Sequence, residues 1–144
     1  MARPDSWQLQ RTSYPFGHLT ETRFADVDIL GHINNVAMAG LFEHGRGMFN
    51  HAIEVSRRAP GQRWLIARVE INYLAEAHFP EKVDIASGIS RIGNSSWDIA
   101  SAAFQSGECK AVCITTIVLT DDNGATPINA DLRGEFERLG VKAG

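Results

Sequence analysis

The sequence predicts an α+β fold in which one long helix is followed by an antiparallel β-sheet. Two observations lead to this prediction. Apolar or small residues recur at helical spacing from Met38 to Ile53, and the runs after them alternate in polarity between turn residues. Such a helix and such a sheet each present one apolar face. We therefore expect the sheet to bury the apolar stripe of the helix in a single core.

The composition is that of one ordinary domain. The chain has 144 residues, 44% of them hydrophobic, with 14 Lys and Arg against 17 Asp and Glu. A net charge of -3 argues against general binding to nucleic acid or to anionic membranes, because both need a concentrated basic surface. The first residues lack the apolar run of a signal peptide, and no segment approaches the roughly 20 apolar residues that span a bilayer. We expect a cytoplasmic protein.

The chain is expected to open with a lead-in, residues 1–17, that packs loosely. This segment is polar and contains Pro4 and Pro15. A single domain is predicted for residues 18–144, and its first strand is predicted in residues 18–24, where β-branched residues share one face.

The long helix is predicted to begin near Asn35. Turn-forming residues precede it, and both Asn34 and Asn35 are candidate N-caps. The segment Arg57–Gly61 is expected to end the helix. Glycine costs about 1 kcal/mol inside a helix relative to alanine, so the glycines within it predict close approach of another element. They are Gly40, Gly45 and Gly47.

Four strands and a final helix are predicted in the rest of the chain. The strands fall within residues 67–74, 82–86, 97–105 and 109–120, and the charged tail 129–139 is compatible with a helix. Cys109 and Cys113 share one strand face about 13 Å apart, which is too far for a disulfide. We expect both to be reduced packing residues.

The residues with most chemical potential lie between Asp26 and Asn35, because carboxylates there precede a helix N-terminus. Free N–H groups at that end carry a partial positive charge and stabilise anions. A carboxylate facing them could attack an acyl carbonyl or activate water while one N–H group polarises the carbonyl oxygen. The alternative is that Asp26 and Asp28 serve only as turn and capping residues.

The segment Phe24–Asn35 resembles the Asp-x-x-Gly-His-x-Asn-Asn signature of hotdog-fold acyl-CoA thioesterases of the 4-hydroxybenzoyl-CoA thioesterase type. Ile71–Ile85 resembles a strand, short connection and strand of that family, and Arg91–Trp97 resembles its next hairpin. The resemblance runs from about Thr20 to Thr120. It implies a sheet wrapped around the central helix.

The resemblance also implies the reaction and the assembly. The carboxylate of Asp28 would be the nucleophile or general base, and the backbone N–H of Asn35 would polarise the thioester carbonyl. The substrate would be an acyl-CoA or an acyl-carrier-protein thioester, with no metal and no further cofactor. The protein would form a homodimer with active sites at the subunit interface, and a tetramer built from two dimers stays open. Candidate substrate-binding residues are Gly31, Asn34, Tyr73, Arg91, Ser95 and Ser96.

Other candidate residues have two interpretations each. Some hotdog thioesterases use a glutamate of the central helix, here Glu43, but a pair with Arg46 on the helix surface is favoured. His32 could line the site, although a role in holding the Asp28 loop is favoured. Acyl-chain contacts could come from Met38, Phe42, Tyr73 and Trp97, each of which is also a typical core residue.

Rival functions and metal sites receive less support. A hotdog hydratase or dehydratase would resemble Asp-x-Asn-Pro-x-His, and no Asn-Pro follows Asp26 or Asp28. A non-catalytic acyl-CoA binding module stays possible because fold does not dictate function. His44 and His51 are seven residues apart rather than the four of a helical zinc pair. Arg57, Arg58 and Arg63 are interpreted as solvated surface charges.

Overall fold

A curled antiparallel sheet packs against one long helix in the computed structural model, which describes residues 3–53 and 59–143. This confirms the predicted α+β class. In chain order the elements are β1 Phe16–Thr20, α1 Asn35–Ala52, β2 Arg63–Tyr73, β3 Val83–Ile92, β4 Ser96–Gln105, β5 Glu108–Asp121, β6 Gly124–Ala125 and α2 Ala130–Arg138. Neither α1 nor α2, the helices of this described part, is long and apolar enough to cross a membrane.

The strands run in the spatial order β1, β3, β4, β5, β2, and β6 pairs with the end of β5. Every pairing is antiparallel, and the register places Tyr73 of β2 opposite Ala111 of β5. The four predicted strands are confirmed, although β2 begins earlier, at Arg63, and β3 continues to Ile92. Both ends of the order, β1 and β2, are edges with one strand neighbour each in the described chain.

The helix α1 packs on the inner face of the sheet through Met38, Phe42 and Phe49, all buried. Gly45 lies where α1 packs directly on Ile85 of β3, because a Cβ there would be 2.3 Å from Cγ2 of Ile85. The predicted close approach is therefore confirmed at this glycine. It is wrong for the other two, since a Cβ on either would meet no atom within 4 Å. They are Gly40 and Gly47.

The lead-in packs more tightly than predicted. Tyr14 is 4% exposed and belongs to an apolar cluster on the outer face of the sheet. Its hydroxyl donates to the Gln8 carbonyl oxygen at 2.7 Å, and Arg11 Nε lies 2.7 Å from Asp84 Oδ2. The strand β1 consequently begins at Phe16, two residues before the predicted start. β1 ends at Thr20 rather than at the predicted Phe24, and Phe24–Asp26 form a 3-10 turn.

The helix α2 packs against one end of the hydrophobic core. The predicted tail helix is confirmed as α2, and its Leu132 and Phe136 pack with Phe49 and Trp97. Phe42 and Trp97 are at most 1% exposed, so in this chain both are core residues. Both cysteines are free, as predicted. Burial raises the pKa of Cys109 to about 11, so this thiol is protonated at neutral pH.

Only part of the predicted helix end and of the predicted basic cluster lies within the described residues. α1 ends at Ala52, with Ile53 as its C-cap. Arg57 and Arg58 lie outside the described residues. Arg63 opens β2 with an exposed side chain 3.7 Å from Asp122.

Candidate active site

The backbone of the loop after the 3-10 turn holds the Asp28 carboxylate. Its Oδ1 accepts hydrogen bonds from the N–H groups of Leu30, at 2.9 Å, and His32, at 3.1 Å. The N–H of Asp28 in turn donates to the His32 carbonyl oxygen at 2.8 Å. Gly31 has a positive φ of 85°, which glycine adopts without steric cost. One carboxylate oxygen is thereby fixed, and Oδ2 has no hydrogen-bond partner within residues 3–53 and 59–143.

The first turn of α1 leaves two backbone donors free. Asn34 is the N-cap, and its Oδ1 accepts from the Ala37 N–H at 2.7 Å. Its carbonyl oxygen accepts from Met38 at 3.0 Å. The N–H groups of Asn35 and Val36 meet no acceptor in the described residues. A helix N-terminus with two free N–H groups can stabilise a negatively charged oxygen.

A cavity of about 300 Å³ connects these groups. Its lining includes Asp28, His32, Asn35 and Tyr73, four residues that sequence analysis singled out. The Tyr73 hydroxyl donates to the Asn35 carbonyl oxygen at 3.1 Å, which ties the end of β2 to the start of α1. Met38 also lines this cavity. The structure thus brings the proposed carboxylate and the proposed N–H donor to one small chamber.

Within the described residues, the His32 ring forms no hydrogen bond or ion pair with the Asp28 carboxylate. Its Nε2 lies 3.0 Å from Glu76 Oε2, and its ring centroid lies 5.4 Å from that of His78. The ring therefore links the loop to the connection between β2 and β3, while the His32 backbone holds Asp28. Glu76 is thus a ring partner that the sequence did not show, and the favoured role of His32 in holding the Asp28 loop stays a prediction.

Two charged residues of the cavity were missed by sequence analysis: Glu76 and Lys110. The Lys110 side chain is 12% exposed, and its Nζ lies 2.7 Å from Glu108 Oε1. A hydrogen bond from Lys110 and its positive charge lower the pKa of the Glu108 carboxyl. The carbonyl oxygen of Lys110 also accepts from the N–H groups of Leu74 and Ala75. Only the pairing of β2 with β5 brings this lysine to the site.

The remaining candidate residues lie elsewhere in the chain. Arg91, Ser95 and Ser96 flank the β3–β4 hairpin, and nine residues of β4 separate that hairpin from the site end of the sheet, about 30 Å at strand spacing. Arg91 bonds Asp98 and Ser96 there. The structure does not bring these three to Asp28 within one chain.

One further expectation about α1 needs correction, and the predicted N-cap role of Asn34 is confirmed. The predicted Glu43–Arg46 pair is wrong: in the described part of the chain Glu43 is exposed with no ion pair, whereas buried Arg46 donates to Thr115 Oγ1 at 3.2 Å. Asn34 acts as the helix cap and also donates through Nδ2 to the Asp26 carbonyl oxygen at 2.9 Å. Both of its amide groups are therefore occupied by the protein itself.

Asp26 is a buried residue at the start of the Asp28 loop, and it bonds Arg23 and Asn34. It is 4% exposed, and its two carboxylate oxygens accept from the backbone N–H and from Nη2 of Arg23, each at 2.9 Å. Burial acts to raise the pKa of Asp26, but the hydrogen bonds and the charge of Arg23 together hold it below its ordinary value. Asp26 is thus an ionised structural residue, in agreement with the assignment of the chemistry to Asp28.

Replacing Arg23 by methionine is expected to make stability less dependent on pH. A carboxylate whose pKa is lowered by folding stabilises the folded state above its unfolded-state pKa, and this contribution disappears as the pH falls through the folded-state pKa. Wild type should therefore exceed Arg23→Met in free energy of unfolding at about pH 7 and lose that advantage by about pH 2. Urea unfolding at both pH values measures it. An equal difference at the two pH values would contradict the assignment.

Metal ligands do not cluster here. Within residues 3–53 and 59–143, no group of three or more His, Cys, Asp or Glu side chains is placed to hold a metal ion. His44 instead contacts the ring of His18, with centroids 5.1 Å apart.

Comparison with known proteins defines the class to which this fold and site belong. The family model of the thioesterase-like superfamily matches residues 22–136. The chain is therefore a member of the thioesterase-like superfamily. The narrower resemblance to the 4-hydroxybenzoyl-CoA type stays a prediction. No curated protein matches the sequence.

Solved structures share the architecture over nearly their whole length. The PA5185 protein of Pseudomonas aeruginosa PAO1 is 24% identical, with a TM-score of 0.79 over 93% of this chain and 97% of that chain. A predicted thioesterase of Bacillus stearothermophilus is 27% identical, with a TM-score of 0.79 over 90% and 98%. A thioesterase of Thermus thermophilus, complexed with coenzyme A and zinc, is 24% identical, with a TM-score of 0.78 over 88% and 95%. With the family match, these neighbours confirm the hotdog fold.

Proposed function

We propose that the protein is an acyl-CoA thioesterase that hydrolyses a thioester to a free acid and coenzyme A. One observation carries the proposal: Asp28 and Asn35, whose backbone N–H meets no acceptor in the described residues, line one chamber. Membership of the thioesterase-like superfamily supports the reaction class. The coenzyme A complex of the Thermus thermophilus thioesterase supports the thiol component.

In the proposed reaction, the thioester carbonyl oxygen lies at the N–H groups of Asn35 and Val36. Asp28 removes a proton from water as the water oxygen adds to the carbonyl carbon, and the resulting oxyanion is stabilised by these donors. The carbon–sulfur bond then breaks, and the proton passes from Asp28 to the leaving thiolate. Alternatively, Oδ2 of Asp28 adds directly, expels the thiolate, and forms an anhydride that water hydrolyses.

The proposed substrate carries phosphates, and among the described residues Lys110 is the one lysine or arginine that lines the small chamber. Its partner Glu108 is largely exposed, so the lysine can exchange that carboxylate for an anionic substrate group. An acyl-carrier-protein thioester presents the same pantetheine arm. Hydrolysis rates on matched acyl-CoA and acyl-carrier-protein substrates would decide between the two carriers.

The proposed activity is tested with a panel of acyl-CoA thioesters and a reagent that detects free thiol. Thiol release that depends on enzyme concentration supports the proposal. Loss of the ultraviolet absorbance of an enoyl-CoA without thiol release would indicate a hydratase. Tight acyl-CoA binding without turnover across the panel would indicate a binding module.

We propose further that the protein is a homodimer in which a second copy covers the free edge of β2. This edge strand is 11 residues long. Leu65, Ile66 and Val69 are 49%, 51% and 47% exposed on it. A long apolar edge is a template for pairing with another chain. Because Tyr73 ends the same strand, a partner there would lie beside the chamber. A tetramer stays a prediction.

Placing lysines on this edge is expected to separate the subunits. In the double variant Ile66→Lys/Val69→Lys, two charges would be buried without partners in the proposed interface. Light scattering should then give the mass of a monomer, where wild type gives that of a dimer. Leu19→Lys is the matched control, because Leu19 is 59% exposed on the opposite edge strand β1. A dimeric double variant would refute the β2 interface.

A further inference from the structure

A second, larger cavity lies on the other flank of the α1 N-terminus. Its volume is about 570 Å³, and it lies between α1, the end of β1 and the 3-10 turn. We name it the helix-flank cavity and define it by Thr20, Ala25, Val36, Gly40, Leu41 and His44. Its volume is that of an ordinary ligand site. Val36 is 84% exposed beside it, which leaves an apolar surface uncovered in this chain.

The small chamber and the helix-flank cavity lie on two sides of the first turn of α1. Asn35 lines the small chamber with Asp28, whereas its neighbours Asn34 and Val36 line the helix-flank cavity. A thioester held at the N–H groups of Asn35 and Val36 would have one substituent on each side. The structure therefore offers separate places for the coenzyme A arm and for the acyl group.

The lining favours the acyl group in the helix-flank cavity. The side chains along its α1 wall are apolar or absent, up to His44. Arg23 also lines it, but its guanidinium is already paired with Asp26, and Glu21 adds a negative charge that disfavours phosphates. From Val36 to His44 the wall is about 12 Å long at 1.5 Å per residue. A straight chain of medium length fits this wall.

Gly40 has no steric reason to be glycine in this chain. A Cβ there would meet nothing within 4 Å, and alanine would stabilise the helix by about 1 kcal/mol. A side chain on a helix leans toward its N-terminus, so from Gly40 it would point along the wall toward Val36. Absence of the side chain keeps the middle of the cavity open.

We propose that the helix-flank cavity binds the acyl group of the thioester substrate and that Gly40 sets the chain length it accepts. This inference rests on the proposed thioesterase function. Gly40→Leu would fill the middle of the cavity, so longer acyl groups should be rejected and an acetyl group retained. Gly47→Leu is the matched control, because Gly47 has the same free space, lies seven residues further along α1, and is not part of the cavity lining.

The experiment measures kcat/KM for acetyl-, butyryl-, octanoyl-, decanoyl- and palmitoyl-CoA. Gly40→Leu should lower the value for octanoyl- and decanoyl-CoA by about tenfold or more while leaving acetyl-CoA unchanged. Gly40→Ala should give a smaller shift in the same direction, which covers the case that the leucine variant fails to fold. Gly47→Leu should follow wild type at every chain length. An identical profile in wild type and both Gly40 variants would overturn the inference.

Binding of the matching non-hydrolysable thioether analogues separates this inference from the proposed function. If no substrate is hydrolysed, yet Gly40→Leu weakens binding of the octanoyl analogue and not of the acetyl analogue, the cavity assignment holds and the thioesterase proposal fails. If wild type hydrolyses thioesters but the Gly40 variants keep its chain-length profile, the thioesterase proposal holds and the cavity assignment fails. Failure of wild type to bind any analogue overturns both.

Discussion

Replacing Asp28 by alanine is expected to lower kcat for the best thioester substrate by a factor of about 10²–10⁴, the usual contribution of a positioned acid–base group. Two carboxylates line the chamber among the described residues, Asp28 and Glu76. Only the Asp28 carboxylate is positioned by the loop backbone, through hydrogen bonds to Oδ1. Glu76, the other acid there, is paired with His32. Initial rates of thiol release, measured at saturating substrate, give the change in kcat.

Asp28→Asn separates chemistry from loop geometry. An asparagine Oδ1 can still accept from the N–H groups of Leu30 and His32, but the amide neither removes a proton nor attacks a carbonyl. Its activity should therefore fall as far as that of Asp28→Ala, provided mass spectrometry excludes deamidation. Glu137→Gln, which removes an exposed carboxylate on α2, should keep wild-type rates. Full activity in Asp28→Ala would refute the mechanism.

Replacing Gly45 by valine is expected to give the largest loss of stability. A Cβ at Gly45 would lie 2.3 Å from Cγ2 and 2.7 Å from Cβ of Ile85. Rotation of the isoleucine side chain cannot remove the second contact, so helix and strand must separate. Overpacking of this kind costs about 1–3 kcal/mol and occasionally more. The midpoint of urea unfolding should fall accordingly.

Other glycines of α1 provide the control for this effect. Gly47→Ala has the opposite expected sign, a gain of up to about 1 kcal/mol, because alanine favours the helix and meets no atom. The same helix thus contains one glycine required by packing and another that packing does not require. A stable Gly45→Val protein would show that α1 does not approach β3 as closely as described.

Much of the site was predictable because its key residues are close in sequence. Asp28, Asn34 and Asn35 belong to one loop and one helix start, and turn chemistry, capping and helical periodicity all act over a few residues. Lys110 and Glu76 were not predictable, because strand order decides that the start of β5 lies beside the end of β2. The β3–β4 hairpin was predicted to bind substrate on local sequence alone. Its sequence resembles a binding turn, but nothing local tells at which end of the sheet it lies.

The lead-in shows a second limit of local sequence. Its prolines and polar residues indicate little regular structure, and before β1 the described part of it forms the 3-10 turns Ser6–Leu9 and Arg11–Ser13. Packing, however, depends on what a segment meets. Alanines of β3 and β4 make the outer face flat enough for Tyr14 to lie on it, and a small residue in a strand carries little signal of such a partner.

The unpaired donors at the start of α1 also have a thermodynamic consequence. A helix that leaves two N–H groups without acceptors forgoes stability that capping would supply. Any ligand that brings an oxygen to them binds the folded chain alone, so it raises the melting temperature in proportion to the logarithm of its concentration over its dissociation constant. Heat stability thereby becomes a measure of ligand fit, and compounds can be ranked by it before any product is detected.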